Sequence, residues 1–318
     1  MTSRALFAAI LLAFASPAYS LNIVLSNDDG LTSNLVALYR ALKTAGHDVI
    51  VSVPCTGQSG RGAAIVMYST ALIVPDNDKS QIEAEGGCHN GAAPTGAPAV
   101  GPFTKSGYAN GDFFYVHGTP VMATMYALDV LAPTRWRARP DLVLSGPNEG
   151  QNVGLIVNSS GTVGNVQFAA GRGLPSIALS AGADTVDNIG LADPDSAIVA
   201  SLTLKLLNTL QEKVKPGEPL LPVGVALNVN FPTGPKLDTE FAFSRIGTFQ
   251  LYNLIFRNSP PYGLAVTFND PSTATHDQAQ DESIVSARHV SVTAMQVSFD
   301  QSPGVQGWLR GYLHSLFR

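Results

Sequence analysis

Two hydrophobic periods alternate along this chain. Ile23, Val24 and Leu25 form a continuous apolar run that stops at Ser26-Asn27-Asp28-Asp29-Gly30. Such a run reads as a strand buried on both faces. Leu35, Leu38, Tyr39 and Leu42 then recur at helical spacing, with Thr32 or Ser33 as the cap and Gly46 ending the pattern. His47 to Val53 is the next strand, closed by Pro54. The short helix between them implies parallel strands and a right-handed crossover.

The alternation continues. Residues 75–112, rich in Gly, Pro, Ala and Asn, read as an irregular surface excursion. Phe113 to Val116 is a strand, and Pro120 opens a helix with Val121, Met125 and Leu128 on one face. Asp141 to Ser145 and Pro175 to Ser180 are strands on either side of a helix that runs to Gly171. Asp195 to Leu210 is a long helix, and Val223 to Phe231 a strand. Between Thr239 and Val290 the pattern suggests hairpins outside the main sheet. His289 to Phe299 contains a late strand, and Val305 to Phe317 closes the chain as an amphipathic helix. The fold class is α/β with a mainly parallel sheet and a C-terminal hairpin and helix extension.

Composition narrows the function classes. The chain has 318 residues, of which 45% are hydrophobic and 14% charged, with a net charge of −5. It carries no basic block, which argues against a nucleic-acid partner. Arg4, the apolar stretch Ala5 to Ala15 and the small residues of Ala18-Tyr19-Ser20 read as a signal peptide, 1–20, cleaved after Ser20. The stretch is too short for a membrane span. The expected location is therefore secreted or periplasmic. Cys55 and Cys88 are the two cysteines. In an oxidising compartment they can pair, the alternative being two free thiols.

The candidate chemistry sits at strand ends. Asp28 and Asp29 follow the first strand, where ligands bind in open α/β sheets. Paired carboxylates suit a hard divalent cation, and Asp-Gly is equally common turn chemistry. Ser59, in the loop after the second strand, lies beside that pair if the strands are neighbours. Asn148 and Asn152 follow the strand at 141–145 and offer amide oxygens and donors, or stabilise a turn. Ser160-Gly161-Thr162 opens a helix, either as a plain N-cap or as an anion site for phosphate. Together these groups imply a metal beside an anion cradle, and phosphomonoester hydrolysis as the reaction.

The motifs Ser26-Asn27-Asp28-Asp29-Gly30, Gln58-Ser59-Gly60, Gly118-Thr119-Pro120 and Pro140 to Gly146 follow one another along the chain. So do the Asn148/Gly150/Asn152/Gly154 spacing, Ser160 to Gly164, Pro175 to Ala178, Leu227 to Pro232 and Val290 to Thr293. In this order they resemble the SurE survival-protein family of nucleotidases and acid phosphatases. The resemblance implies a Rossmann-like three-layer core over 21–238, and a C-terminal region, 239–318, exchanged between subunits of a homodimer or homotetramer. It implies Mg²⁺ or Mn²⁺ on Asp28, Asp29, Ser59 and Asn148. Phosphate contacts would fall on Asn152, Ser160, Gly161 and Thr162, with Asp28, Asp29 and Asn152 as the catalytic set. The implied substrates are nucleoside monophosphates (5′ or 3′) and other phosphomonoesters. Pro147, Glu149, the 155–159 segment and Ala294 depart from the family pattern. The alternative is an exported nucleotide- or metal-binding protein with little or no turnover.

Overall fold

A computed structural model describes residues 19–66, 87–186, 190–260 and 263–317. The expected leader lies outside these residues except for Tyr19 and Ser20. Among the described residues nine strands form one sheet in the order β3-β4-β2-β1-β5-β6-β7-β11-β8. Its centre is β1 (Asn22–Ser26), flanked by β2 (Asp48–Pro54) and β5 (Leu142–Glu149), both parallel to it. From β2 the sheet runs outward through β4 (Phe113–Val116) to β3 (Val100–Pro102), and from β5 through β6 (Ser176–Ala181) to β7 (Val225–Asn230). The chain thus builds one half of the sheet and then the other, with the change of direction between β1 and β5. Such a switch point leaves a crevice at the carboxyl ends of the two strands.

Successive β1 side chains enter opposite layers, as the strand period requires. Ile23 and Leu25 pack with Leu35, Leu38 and Leu42 of α1 (Ser33–Thr44), and with Leu202 and Leu207 of the helix Pro194–Gln211. Val24 faces the other way, toward Ile50, Val143, Leu131 and Ala169. Thr32 is the cap of α1, its hydroxyl accepting from Leu35 N–H at 3.2 Å.

Three expectations are corrected. The excursion at 75–112 contributes β3, which pairs antiparallel with β4; three residues in Gly- and Pro-rich sequence leave no readable period. The strand expected to end at Ser145 continues to Glu149, because Asn148 and Glu149 pair with Ser180 and Ala181 after a register shift. The region after 239 is not all outside the main sheet. β8 (Phe241–Ser244) and β11 (Val290–Gln296) extend it, with β11 antiparallel to β7, while β9 (Tyr252–Arg257) and β10 (Gly263–Phe268) form a separate hairpin. The helix Pro303–Tyr312 follows β11, with no residue of it buried.

Candidate active site

The corner after β1 is built by Asn27. Its Oδ1 accepts from Gly30 N–H at 3.0 Å and its Nδ2 donates to Gly30 O at 2.7 Å. Gly30 has φ +82°, a conformation that a side chain would strain. The tight turn leaves Asp28 3% and Asp29 8% exposed at the mouth of the β1–β5 crevice. Asn27 therefore has a structural task, closing the turn that presents the two aspartates.

Each aspartate is met by a different element. Thr162 donates its hydroxyl to Asp28 Oδ1 at 2.7 Å, and the N–H of Gly161 also reaches this carboxylate. Both residues lie in the first turn of the helix Gly161–Gly171, where unpaired N–H groups and the helix dipole favour negative charge. The anion held at that terminus here is Asp28 itself. A Cβ on Gly161 would come within 2.6 Å of Asp28 Cβ, so glycine is what lets the helix approach. Ser160 caps the helix, its Oγ accepting from Val163 N–H at 3.1 Å. Asp29 Oδ1 accepts from the Ser59 hydroxyl at 3.3 Å, and its Oδ2 from Glu149 N–H at 3.4 Å. The Ser59 loop is tied in turn to the corner by Gln58 N–H on Asp28 O at 2.7 Å.

The structure thus brings Asp28, Asp29, Ser59, Ser160, Gly161 and Thr162 to one crevice. Asn148, next to Glu149, sits at its β5 wall. Burial pushes both carboxyls above the usual aspartate range; repulsion by Asp29 adds to it at Asp28, while donors including Thr162 and Ser59 oppose it. Among the described residues no Lys or Arg pairs with either aspartate. Asn148 donates Nδ2–H to Gly150 O at 2.7 Å, but its Oδ1 is buried without a hydrogen-bond partner. Two carboxylates without a Lys or Arg partner, a hydroxyl and an orphaned amide oxygen are a hard donor set. They fit a small divalent cation that keeps part of its water shell. No cluster of three or more His, Cys, Asp or Glu competes for that role among the described residues.

Asn152 is held on the far side of the loop. Its N–H donates to Asn230 Oδ1 at 2.8 Å, and its carbonyl accepts from Asn228 Nδ2 at 2.9 Å and Asn230 Nδ2 at 3.2 Å. Its own Nδ2 donates to Ser180 Oγ at 2.9 Å. Behind this network lies Glu282, fully buried, which accepts from Gly154 N–H at 3.1 Å, Asn228 Nδ2 at 2.9 Å and Thr293 at 3.1 Å. Burial raises the Glu282 carboxyl to about 7. Asn228 and Asn230, two apart on β7, share one face, a signal readable in the sequence. Glu282 carries none, because Asp281-Glu282-Ser283 reads as ordinary surface polarity. Nor does the sequence single out Asn165: one turn beyond Gly161, its Nδ2 reaches Ser145 Oγ at 3.0 Å and Asn27 O at 3.3 Å, tying the middle of β5 to the corner after β1.

Residues 23–252 match the family model described as Survival protein SurE. The chain belongs to the SurE family. It is 32% identical over 236 residues to a protein of Yarrowia lipolytica named acid phosphatase, a match covering 70% of this chain and 62% of that protein. It is 36% identical over 163 residues to a Desulfovibrio desulfuricans protein named 5′-nucleotidase SurE, covering 50% and 49%. These matches span about half to three fifths of the relatives' lengths. Among solved structures, the SurE protein of Aquifex aeolicus superimposes with a TM-score of 0.64 at 22% identity, covering 92% of this chain and 99% of that one. That likeness bears on the fold alone, and it agrees with the mainly parallel sheet described above.

Proposed function

We propose that this SurE-family chain is a metal-dependent phosphomonoesterase, with nucleoside monophosphates as its foremost substrates and other phosphomonoesters accepted. The observation that carries the reading is the pairing of two buried aspartates with the orphaned Asn148 Oδ1 at the sheet's switch point. The names of the relatives support the reaction class. Asp28, Asp29, Ser59 and Asn148 would hold Mg²⁺ or Mn²⁺. When bound, such a cation polarises a phosphoryl oxygen and makes a coordinated water more acidic.

The chain's own residues do the rest. The helix N-terminus at Ser160, Gly161 and Thr162 favours negative charge, and the Ser160 hydroxyl, which only accepts from Val163, keeps its proton for a phosphate oxygen. Thr162 and Gly161 aim Asp28; Ser59 and the Glu149 N–H aim Asp29. One of these carboxylates takes the proton of the attacking water, in a pocket whose burial already favours protonation. Asn152, its backbone fixed from β7 and one amide hydrogen given to Ser180, keeps the other for the phosphoryl group. Fixed donors of this kind cost no reorganisation when charge develops.

Export to an oxidising compartment is part of the proposal, supported by the leader-like first 20 residues and by the disulfide between Cys55 and Cys88. No helix among the described residues is long and apolar enough to cross a membrane. A homodimer or homotetramer formed through 239–318 is supported by exposed Phe256, Leu264 and Phe268 on the hairpin and Trp308, Tyr312 and Leu316 beyond β11. The test of function is phosphate release from a panel of 5′- and 3′-mononucleotides and simple phosphoesters. Turnover with a preference for mononucleotides is expected. Ligand depletion without phosphate release would point to a binding protein instead.

A further inference from the structure

The Asp28–Asp29 corner is gripped by a segment that the reaction does not use. Cys55 directly follows β2 and is joined to Cys88. Cys88 opens a short turn, His89–Gly91, that is laid against the corner. His89 N–H donates to Cys55 O at 2.7 Å, and Cys88 N–H to Ala93 O at 2.8 Å, so the turn is pinned at the disulfide itself. Two side chains reach out of it. His89 Nδ1 lies 2.6 Å from the carbonyl oxygen of Asp29, and Asn90 Nδ2 donates to Leu31 O at 2.7 Å. A carbonyl can only accept, so Nδ1 carries the imidazole proton. The space for both contacts exists because residue 30 is glycine: a Cβ there would stand 3.2 Å from His89 Cβ and 3.1 Å from Pro54 O.

We propose that the Cys55–Cys88 disulfide, His89 and Asn90 form a clamp on the backbone of Asp29 to Leu31, and that His89 is a positioning residue for cation binding by Asp29. The proposal rests on the metal-dependent reading of the site. The carboxylate of Asp29 takes its direction from the backbone at 29–31, which His89 holds at Asp29 O and Asn90 at Leu31 O. Among the described residues Asp29's side chain has two donors, Ser59 and the Glu149 N–H, at 3.3 and 3.4 Å. Loss of the clamp leaves the turn closed by Asn27 on Gly30 but frees the Asp29 carbonyl, so the carboxylate is aimed by these two long contacts alone. Partners that orient metal ligands from outside typically contribute tenfold to hundredfold in metal affinity. The disulfide makes this restraint conditional on an oxidising environment, which suits an exported protein.

The test measures Mn²⁺ binding to the full oxidised chain by the loss of the free-ion electron paramagnetic resonance signal, with no substrate present. The variants are His89→Ala, His89→Asn and Asp28→Asn; the parent is also measured after reduction. Circular dichroism at the binding temperature identifies the samples that are folded. Asparagine places an N–H donor two bonds from Cβ, as Nδ1 of histidine does. His89→Ala and the reduced parent are expected to bind Mn²⁺ at least tenfold more weakly, and His89→Asn within threefold of the parent. Equal affinity for the parent and a folded His89→Ala overturns the clamp. A folded His89→Asn as weak as His89→Ala overturns the role of the δ donor. A parent that binds no Mn²⁺, or an Asp28→Asn variant that binds it undiminished, overturns the metal site itself and the clamp's purpose with it.

Discussion

Replacing Glu282 with glutamine isolates the cost of a buried charge beneath the loop that carries Asn152 and Gly154. The carboxyl is fully buried, and its proton affinity rises from 4.5 to about 7, chiefly because burial disfavours the charged form. Donors from Asn228, Thr293 and Gly154 oppose the rise, and Asp281 adds to it. Below pH 4.5 the group is neutral folded and unfolded alike. Between 4.5 and 7 the folded chain binds the extra proton, so stability from this group falls as pH rises and is lost above 7. At about 1.4 kcal/mol per pH unit, the rise corresponds to about 3 kcal/mol. Glutamine has no such titration. Its NH2 group cannot accept, so either the Gly154 N–H or Asn228 is left facing a donor, which adds a penalty independent of pH. Urea unfolding of the oxidised protein, parent and Glu282→Gln, is followed by circular dichroism from pH 4 to pH 8. The stability difference is expected to move about 3 kcal/mol in favour of the variant across that range. A difference that stays constant with pH would refute the buried-charge reasoning.

Two further outcomes follow from close contacts and from the covalent link. Alanine at position 161 would bring a Cβ to 2.6 Å from Asp28 Cβ and 2.8 Å from Pro120 Cγ. It is expected to cost about 1–3 kcal/mol of stability by overpacking, and kcat/KM should fall by about a hundredfold as Asp28 is displaced; unchanged urea midpoint and kcat/KM would contradict the contact. Reduction of Cys55–Cys88, which are 33 residues apart, is expected to cost about 3–4 kcal/mol through the freedom regained by the unfolded chain; coincident urea curves with and without reductant would count against it.

Much of this architecture was legible because its signals are local. The run Ile23 to Leu25, its abrupt polar end and the helical spacing of Leu35, Leu38 and Leu42 specify the first β-α-β unit without reference to distant residues. Asp28, Ser59 and Asn148 could be assembled in advance because they follow strands, and parallel strands deliver their carboxyl ends to one edge. The illegible parts depend on long-range partners. Glu282 is polar among polar neighbours, and only Gly154, Asn228 and Thr293 make it a buried hub. Strand β5 passes through Gly146-Pro147 to Glu149 because β6 offers it a partner, which no local propensity records. A hydroxyl in the first turn of a helix suits a ligand's phosphate, but the group that Thr162 meets is Asp28, brought there by the β1 corner. His89 lies in a glycine-rich stretch whose course is set by Cys55 and by the corner it touches.

The central claim is that two buried aspartates hold a cation that hydrolysis requires. It is tested most directly by phosphate release from a 5′-mononucleotide after chelation, with Mg²⁺ or Mn²⁺ then added back, for the parent and for Asp28→Asn. Activity of the parent should vanish on chelation and return with the cation, and Asp28→Asn should lose at least about a hundredfold in kcat under every condition. Phosphate release that survives both the chelator and the substitution would contradict it.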